Sequence, residues 1–144
     1  MVAGLVLVLA GAADATHRFP SGTATIDTGE RRVTVVVELA TTARQRSLGL
    51  MHRRSFAANA GMAFLYPQST RGAFWMKSTL IPLSIAFWDA RGRLVRILDM
   101  TPCRSDPCPL YDPGVAYVGA LEVNRGAFRR WGVERGDRIA VRRR

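Results

Sequence analysis

The sequence predicts a β-rich α+β fold: a small single domain of short, mostly antiparallel strands, barrel-like, with two short helices. Three observations predict it. Short apolar runs recur along the chain, each stopped by Gly, Pro or Asp, which is the pattern of strands joined by turns. Only two stretches carry a helix-start signal. The 144 residues, 48% of them hydrophobic, fit one domain with its own core and exclude wholesale disorder. No internal repeat or low-complexity linker divides the chain.

Taken in order, residues 1–15 (MVAGLVLVLAGAADA) form an apolar run that exits through small residues, with Ala-x-Ala triplets at Ala10-Gly11-Ala12 and Ala13-Asp14-Ala15. This reads as a signal peptide or N-terminal leader, and the run is too short to span a bilayer. It lacks a basic start, and the competing reading is a buried N-terminal strand. Ala24 to Asp27 and the Val-rich Arg31 to Ala40 flank Asp27-Thr28-Gly29-Glu30 and predict a hairpin. Thr42 and Gln45 have capping-box spacing and predict a short helix that ends near Gly49.

Strands are then expected over Gly61 to Tyr66, Gly72 to Met76, Leu83 to Asp89 and Arg93 to Met100, the last two paired across Asp89-Ala90-Arg91-Gly92. Val115 to Val123 reads as another strand. Asn124 is the expected N-cap of a helix over Arg125 to Trp131, which Gly132 stops. Gly136-Asp137 turns into a last strand from Arg138 to Val141, and residues 142–144 are expected as a solvated basic end. A closed or half-closed barrel would use all of these strands.

Cysteine usage bears on compartment. Cys103 and Cys108 lie in one Pro-rich loop, TPCRSDPCPLYDPG, and the only histidines, His17 and His52, are far apart in sequence. A zinc site needs more ligands than that, and thiol redox catalysts space their pair by two. A structural disulfide is the leading reading. It agrees with export to a periplasmic, extracellular or envelope location.

The net charge of +10 invites a polyanion-binding reading. Yet Lys77 is the single Lys among 21 basic residues, and an Arg bias spread over a whole chain reads as coding bias rather than a selected face. The segment from Asn124 to Arg144 carries eight Arg. That is enough for nonspecific phosphate attraction at low salt, and no specific nucleic-acid partner is expected.

Several blocks together resemble a family. These are Arg46 with Gly49-Leu50-Met51, Gly61-Met62, and Phe74-Trp75-Met76-Lys77-Ser78-Thr79-Leu80-Ile81-Pro82-Leu83; downstream come Pro102, Tyr117 to Glu122 and Gly132 to Arg138. The chain resembles the bacterial and archaeal domain-of-unknown-function family 192 over residues 24–141. The family's block normally has Asn after the Lys and Asp after Ile-Pro-Leu, whereas this chain has Ser78 and Ser84. A mechanism needing a carboxylate at that second position therefore fails here. The resemblance implies an often exported, β-rich single domain and supplies no reaction.

The block around Lys77 gathers candidate site residues. If Lys77 survived where other lysines became Arg, a compact ammonium with three donors or a deprotonatable amine was required there. Arg46 offers a second cation, and Trp75 a floor, for a small anionic or carbohydrate-like ligand or an envelope component, with the hydroxyls of Ser78 and Thr79 beside them. Tyr111 becomes a rim of the same pocket if the cysteine loop folds over Trp75. The plain structural alternative puts Phe74 and Met76 in the core, lets Lys77 snorkel and pairs Arg46 with Glu122.

Two further readings compete. A hydrolase-type envelope enzyme would use Lys77 as base with Ser78 or Thr79 as nucleophile, which needs a desolvated Lys. Copper(I) binding would use the thioethers of Met51, Met62 and Met76, although Met is also a common gap-filler in cores. No cofactor and no other metal site is expected.

Overall fold

The computed structural model describes residues 19–144, so the expected leader over 1–15 lies outside the described residues. The domain opens with a hairpin of β1 (Ser21–Asp27) and β2 (Arg32–Ala40). Its turn forms where Asp27 accepts the Gly29 N–H at 2.9 Å and Gly29 takes a left-handed φ of +83°, which glycine adopts without strain. The chain then leaves β2 through α1 (Ala43–Leu48) and returns as β3 (Ala60–Thr70), parallel to β2. The capping box forms as its spacing predicts: Thr42 Oγ1 accepts the Gln45 N–H, and Gln45 Oε1 accepts the Thr42 N–H.

Next come β4 (Phe74–Trp75), β5 (Leu83–Trp88), β6 (Leu94–Met100), β7 (Leu110–Tyr111), β8 (Tyr117–Asn124), α2 (Ala127–Trp131) and β9 (Arg138–Arg143). Seven strands form one mixed sheet in the order β6-β5-β8-β3-β2-β1-β9, and β4 pairs with β7 in a separate two-stranded ribbon. The sheet is not closed. Its outer strands meet only at one bridge, Arg93 with Arg138, flanked by hydrogen bonds such as Leu94 N–H to the Asp137 carbonyl at 2.8 Å. The barrel-like expectation is thus met by a curled open sheet.

Several boundaries differ from the sequence expectation, among them that of β3, which runs through Pro67 to Thr70 rather than stopping at Tyr66. The strand expected from Gly72 to Met76 shrinks to two residues, because the Met76 carbonyl already takes the Thr79 and Cys103 N–H groups. Asn124 does not cap α2. Its amide instead donates to the Phe56 and Ala57 carbonyls, and Gly126, at φ +80°, takes the cap position with its N–H on Ser84 Oγ. Residues 142 and 143 continue β9, with Arg142 opposite Thr23 and Arg143 opposite Gly22, although their side chains are exposed.

Alternation along the strands divides the core. Leu121 and Val123 of β8 face Ala63, Ala86, Trp88, Val35 and Val37, a cluster that α2 covers with Ala127 and Phe128. Ala120 of β8 faces the other way, into a cluster with Phe64, Phe87, Met62, Met76 and Tyr117. β5 is buried at every residue, as expected for a strand covered on both faces. Each large apolar side chain so buried contributes about 1.5–3 kcal/mol.

Candidate functional site

The second face is not filled to its end. Between α1, β3 and β4 it leaves a cavity of about 360 Å³, whose lining includes Arg46, Phe64, Tyr66, Trp75, Thr79 and Glu122. Arg46 stands in the last turn of α1, its guanidinium 4.8 Å from the centre of the Tyr66 ring. One of its nitrogens, Nη1, donates to the carbonyls of Thr41 at 2.7 Å and Leu65 at 2.9 Å. Those contacts fix the guanidinium and leave Nε and Nη2 without a partner among the described residues.

Glu122 lies on β8, opposite Met62 of β3 and Ile85 of β5. It is only 5% exposed and makes no hydrogen bond or ion pair among the described residues. With apolar neighbours on both flanks, burial pushes its carboxyl up to about 8. Near pH 7 the group is therefore mostly a neutral acid. The expected Arg46–Glu122 ion pair is absent, because the guanidinium is turned onto the two backbone carbonyls and the Tyr66 ring. Burial likewise raises the Tyr66 phenol above its ordinary value, so it stays protonated across the physiological range.

The other sequence-predicted residues separate into two groups. Arg46, Trp75 and Thr79 line the cavity; Lys77, Ser78 and Tyr111 do not. Trp75 is 48% exposed, an unusual setting for so large an apolar side chain. Lys77 Nζ pairs with Asp106 at 3.3 Å and sits 5.4 Å from the Trp75 ring centre. Ser78 takes a left-handed φ of +54°, and its carbonyl accepts the His52 N–H at 2.8 Å, which ties the loop after α1 to this block. Tyr111 pairs with Phe74 across the β4–β7 ribbon while its hydroxyl accepts the Thr101 N–H at 3.0 Å. The cysteine loop does fold against the Trp75 strand, closed by the Cys103–Cys108 disulfide.

This geometry gives little to the two competing chemistries. The Lys77 side chain is 44% exposed and ion-paired, and no hydrogen bond joins its ammonium to the Ser78 or Thr79 hydroxyl among the described residues. A Lys base needs desolvation instead. Met62 and Met76 are buried in the aromatic cluster, and Met51 lines the cavity wall. Packing accounts for the first two thioethers.

Tyr66 and Glu122 were not among the site residues the sequence offered. The available signal for Glu122 was a lone carboxylate inside the apolar run VAYVGALEV. A larger groove, of about 540 Å³, lies over β1 and β9 among Arg32, Arg91, Arg138 and Arg142, but it has no buried polar side chain in its lining.

An open, curled mixed sheet with a filled face on one side and a cavity on the other defines a small β-rich single domain. By its sequence the chain belongs to the DUF192 family, described as an uncharacterized conserved family, whose model matches residues 24–141. Comparison with curated proteins gives no match. Among solved structures it is similar to a candidate transcription regulator from Sinorhizobium meliloti 1021, at 31% identity and a TM-score of 0.80, covering 86% of this chain and 95% of that one. It is also similar to a protein of unknown function from Novosphingobium aromaticivorans DSM 12444, at 26% identity and a TM-score of 0.79, covering 96% of this chain and 93% of that one.

Proposed function

We propose that this domain is an exported binding module for a small anionic or carbohydrate-like ligand, held in the cavity between α1, β3 and β4. The observation that carries the reading is Glu122, a buried carboxyl with no protein partner that opens into a cavity shared with Arg46 and Trp75. No buried side-chain atom among the described residues lacks a hydrogen-bond partner, so the Glu122 oxygens are reached from the cavity rather than sealed in the core. A ligand in the cavity can hydrogen-bond this carboxyl directly, and the exposed Trp75 ring offers a stacking surface beside it.

Lys77, Ser78 and Tyr111 act in this reading by holding the block that carries Trp75 and Thr79. Export is supported by the Cys103–Cys108 disulfide, a bond that persists in oxidising compartments. The regulator description belongs to the Sinorhizobium protein. Among the described residues of this chain the helices have six and five residues, short for an element that reads a major groove, so the small-ligand reading is preferred.

The test is a thermal-shift comparison of wild type and Trp75→Ala against glucose, glucuronate, benzoate and phosphate. A probe present at about 100 times its Kd stabilises the native state by about 2.7 kcal/mol, several degrees for a domain of this size. At least one probe should raise the wild-type Tm and raise the variant's less. If none moves the wild type, the cavity is a packing defect and the reading is wrong.

A further inference from the structure

We propose that the ligand is a carboxylate, and that Glu122 binds it as a protonated acid whose O–H donates to a ligand oxygen while the Arg46 guanidinium supplies the countercharge. This rests on the binding reading above and deepens it. Arg46 brings one positive charge to the cavity lining, and with Nη1 already used on two carbonyls its Nε and Nη2 are left for a ligand. Glu122 brings a hydrogen-bond donor that finds no protein acceptor. One cation plus one neutral acid is complemented by a single negative charge with two oxygens. A neutral sugar would leave the guanidinium uncompensated, and phosphate, once doubly ionised at pH 8 and above, would overcharge the cavity.

The remaining surroundings of Glu122 do not compete for its proton. From β3 the cavity receives Tyr66, from β4 Phe74 and Trp75, and from α1 Arg46. β5 presents Ile85 opposite Glu122, and Tyr117 at the start of β8 donates its O–H to the Gly72 carbonyl. Burial raises both phenols above their ordinary value, so neither ionises where Glu122 does. Two carboxyl groups sharing one proton is familiar chemistry, because neighbouring carboxylates cannot both be charged. It makes binding proton-linked: the carboxylate is held while Glu122 keeps its proton and repelled once Glu122 ionises.

Calorimetric titration of the full chain with glucuronate, benzoate, glucose and phosphate at pH 6.5, 8 and 9.5 tests this. Glucuronate or benzoate should bind more tightly than glucose and phosphate, with affinity nearly flat at low pH and falling about tenfold per pH unit once Glu122 ionises. Glu122→Gln, which keeps a donor but cannot ionise, should bind with the fall removed. If that variant does not fold, wild type alone decides: titration at pH 8.5 in two buffers of different ionisation enthalpy should show net proton uptake. Affinity that holds or rises with pH, uptake of zero, or glucose or phosphate binding as tightly as glucuronate overturns the carboxylate inference and leaves a binding module standing. No binding by any probe overturns both.

Discussion

The two faces of the sheet are built from the same strands and differ by one side-chain alternation. On β8, Leu121 and Val123 enter a cluster closed by Ala127 and Phe128 of α2, which is apolar throughout. Ala120 and Glu122 enter the opposite side, where Phe64, Phe74, Phe87 and Tyr117 pack edge to face in succession at ring distances of 4.8–5.6 Å and the packing then stops at the cavity. Burial alone does not tell the faces apart, since Leu121 and Glu122 are both inside. What separates them is whether the packing reaches the end of the face. The α2 face is a finished core, and the α1 face is left unfinished where it ends in the cavity.

The largest expected effect follows from the unfinished face. In the unfolded chain Glu122 should titrate near its ordinary 4.5, but in the fold burial holds it at about 8. Between those values the native state keeps a proton that the unfolded state has lost, so stability falls as pH rises. The favourable contribution is fully present below pH 4.5, is lost through about pH 8, and changes little beyond. Its size is on the order of 5 kcal/mol. Glu122→Gln has no such term. Denaturant unfolding should therefore show the variant close to wild type at pH 4.5 and several kcal/mol more stable at pH 9; parallel pH profiles would remove Glu122 from the account.

A smaller effect probes the finished face. Gly119 of β8 lies under the Trp88 indole, and a Cβ built there would sit 2.1 Å from Trp88 Cζ2. Trp88 is buried and has to shift to admit it. Overpacking of this kind costs about 1–3 kcal/mol. Gly119→Ala should lower the denaturation midpoint and shift the tryptophan emission while leaving affinity at the cavity unchanged, because the clash is on the α2 side. A change of less than about 0.5 kcal/mol would mean that this face is looser than its packing indicates.

Much of the fold was legible locally. The β1–β2 turn at Asp27 to Glu30, the Thr42–Gln45 capping box, the stop at Gly49 and the β5–β6 hairpin are set by residues within a few positions of each other, and all form as their spacing predicts. What failed depended on distant partners. Asn124 has an N-cap's chemistry, but the Phe56 and Ala57 carbonyls, more than sixty residues back, claim its amide. The site divided the same way. Arg46, Trp75 and Thr79 stood out by residue type, whereas Glu122 became informative only once β8 proved to be flanked by β3 and β5. Lys77 stood out by rarity in composition, which says nothing about burial; its ammonium pairs with Asp106 at the surface, outside the cavity lining.

The smallest effect asks whether Ser78 belongs to the site or to its support. Its φ of +54° is a left-handed conformation in which Cβ crowds the following carbonyl. The residue that faces it, His52, is also left-handed at +65°, and the His52 N–H to Ser78 carbonyl hydrogen bond locks the two strained positions together. Asn tolerates this conformation better than Ser, and it is the residue the family pattern normally carries there. Ser78→Asn should therefore stabilise by about 0.5–1 kcal/mol, read as a rise in the denaturation midpoint, with carboxylate affinity unchanged. Gly in the same place relieves the same strain but frees the unfolded chain, so its gain should be smaller. Weaker binding by both variants would return the Ser78 hydroxyl to the cavity and make this turn part of the unfinished face rather than its buttress.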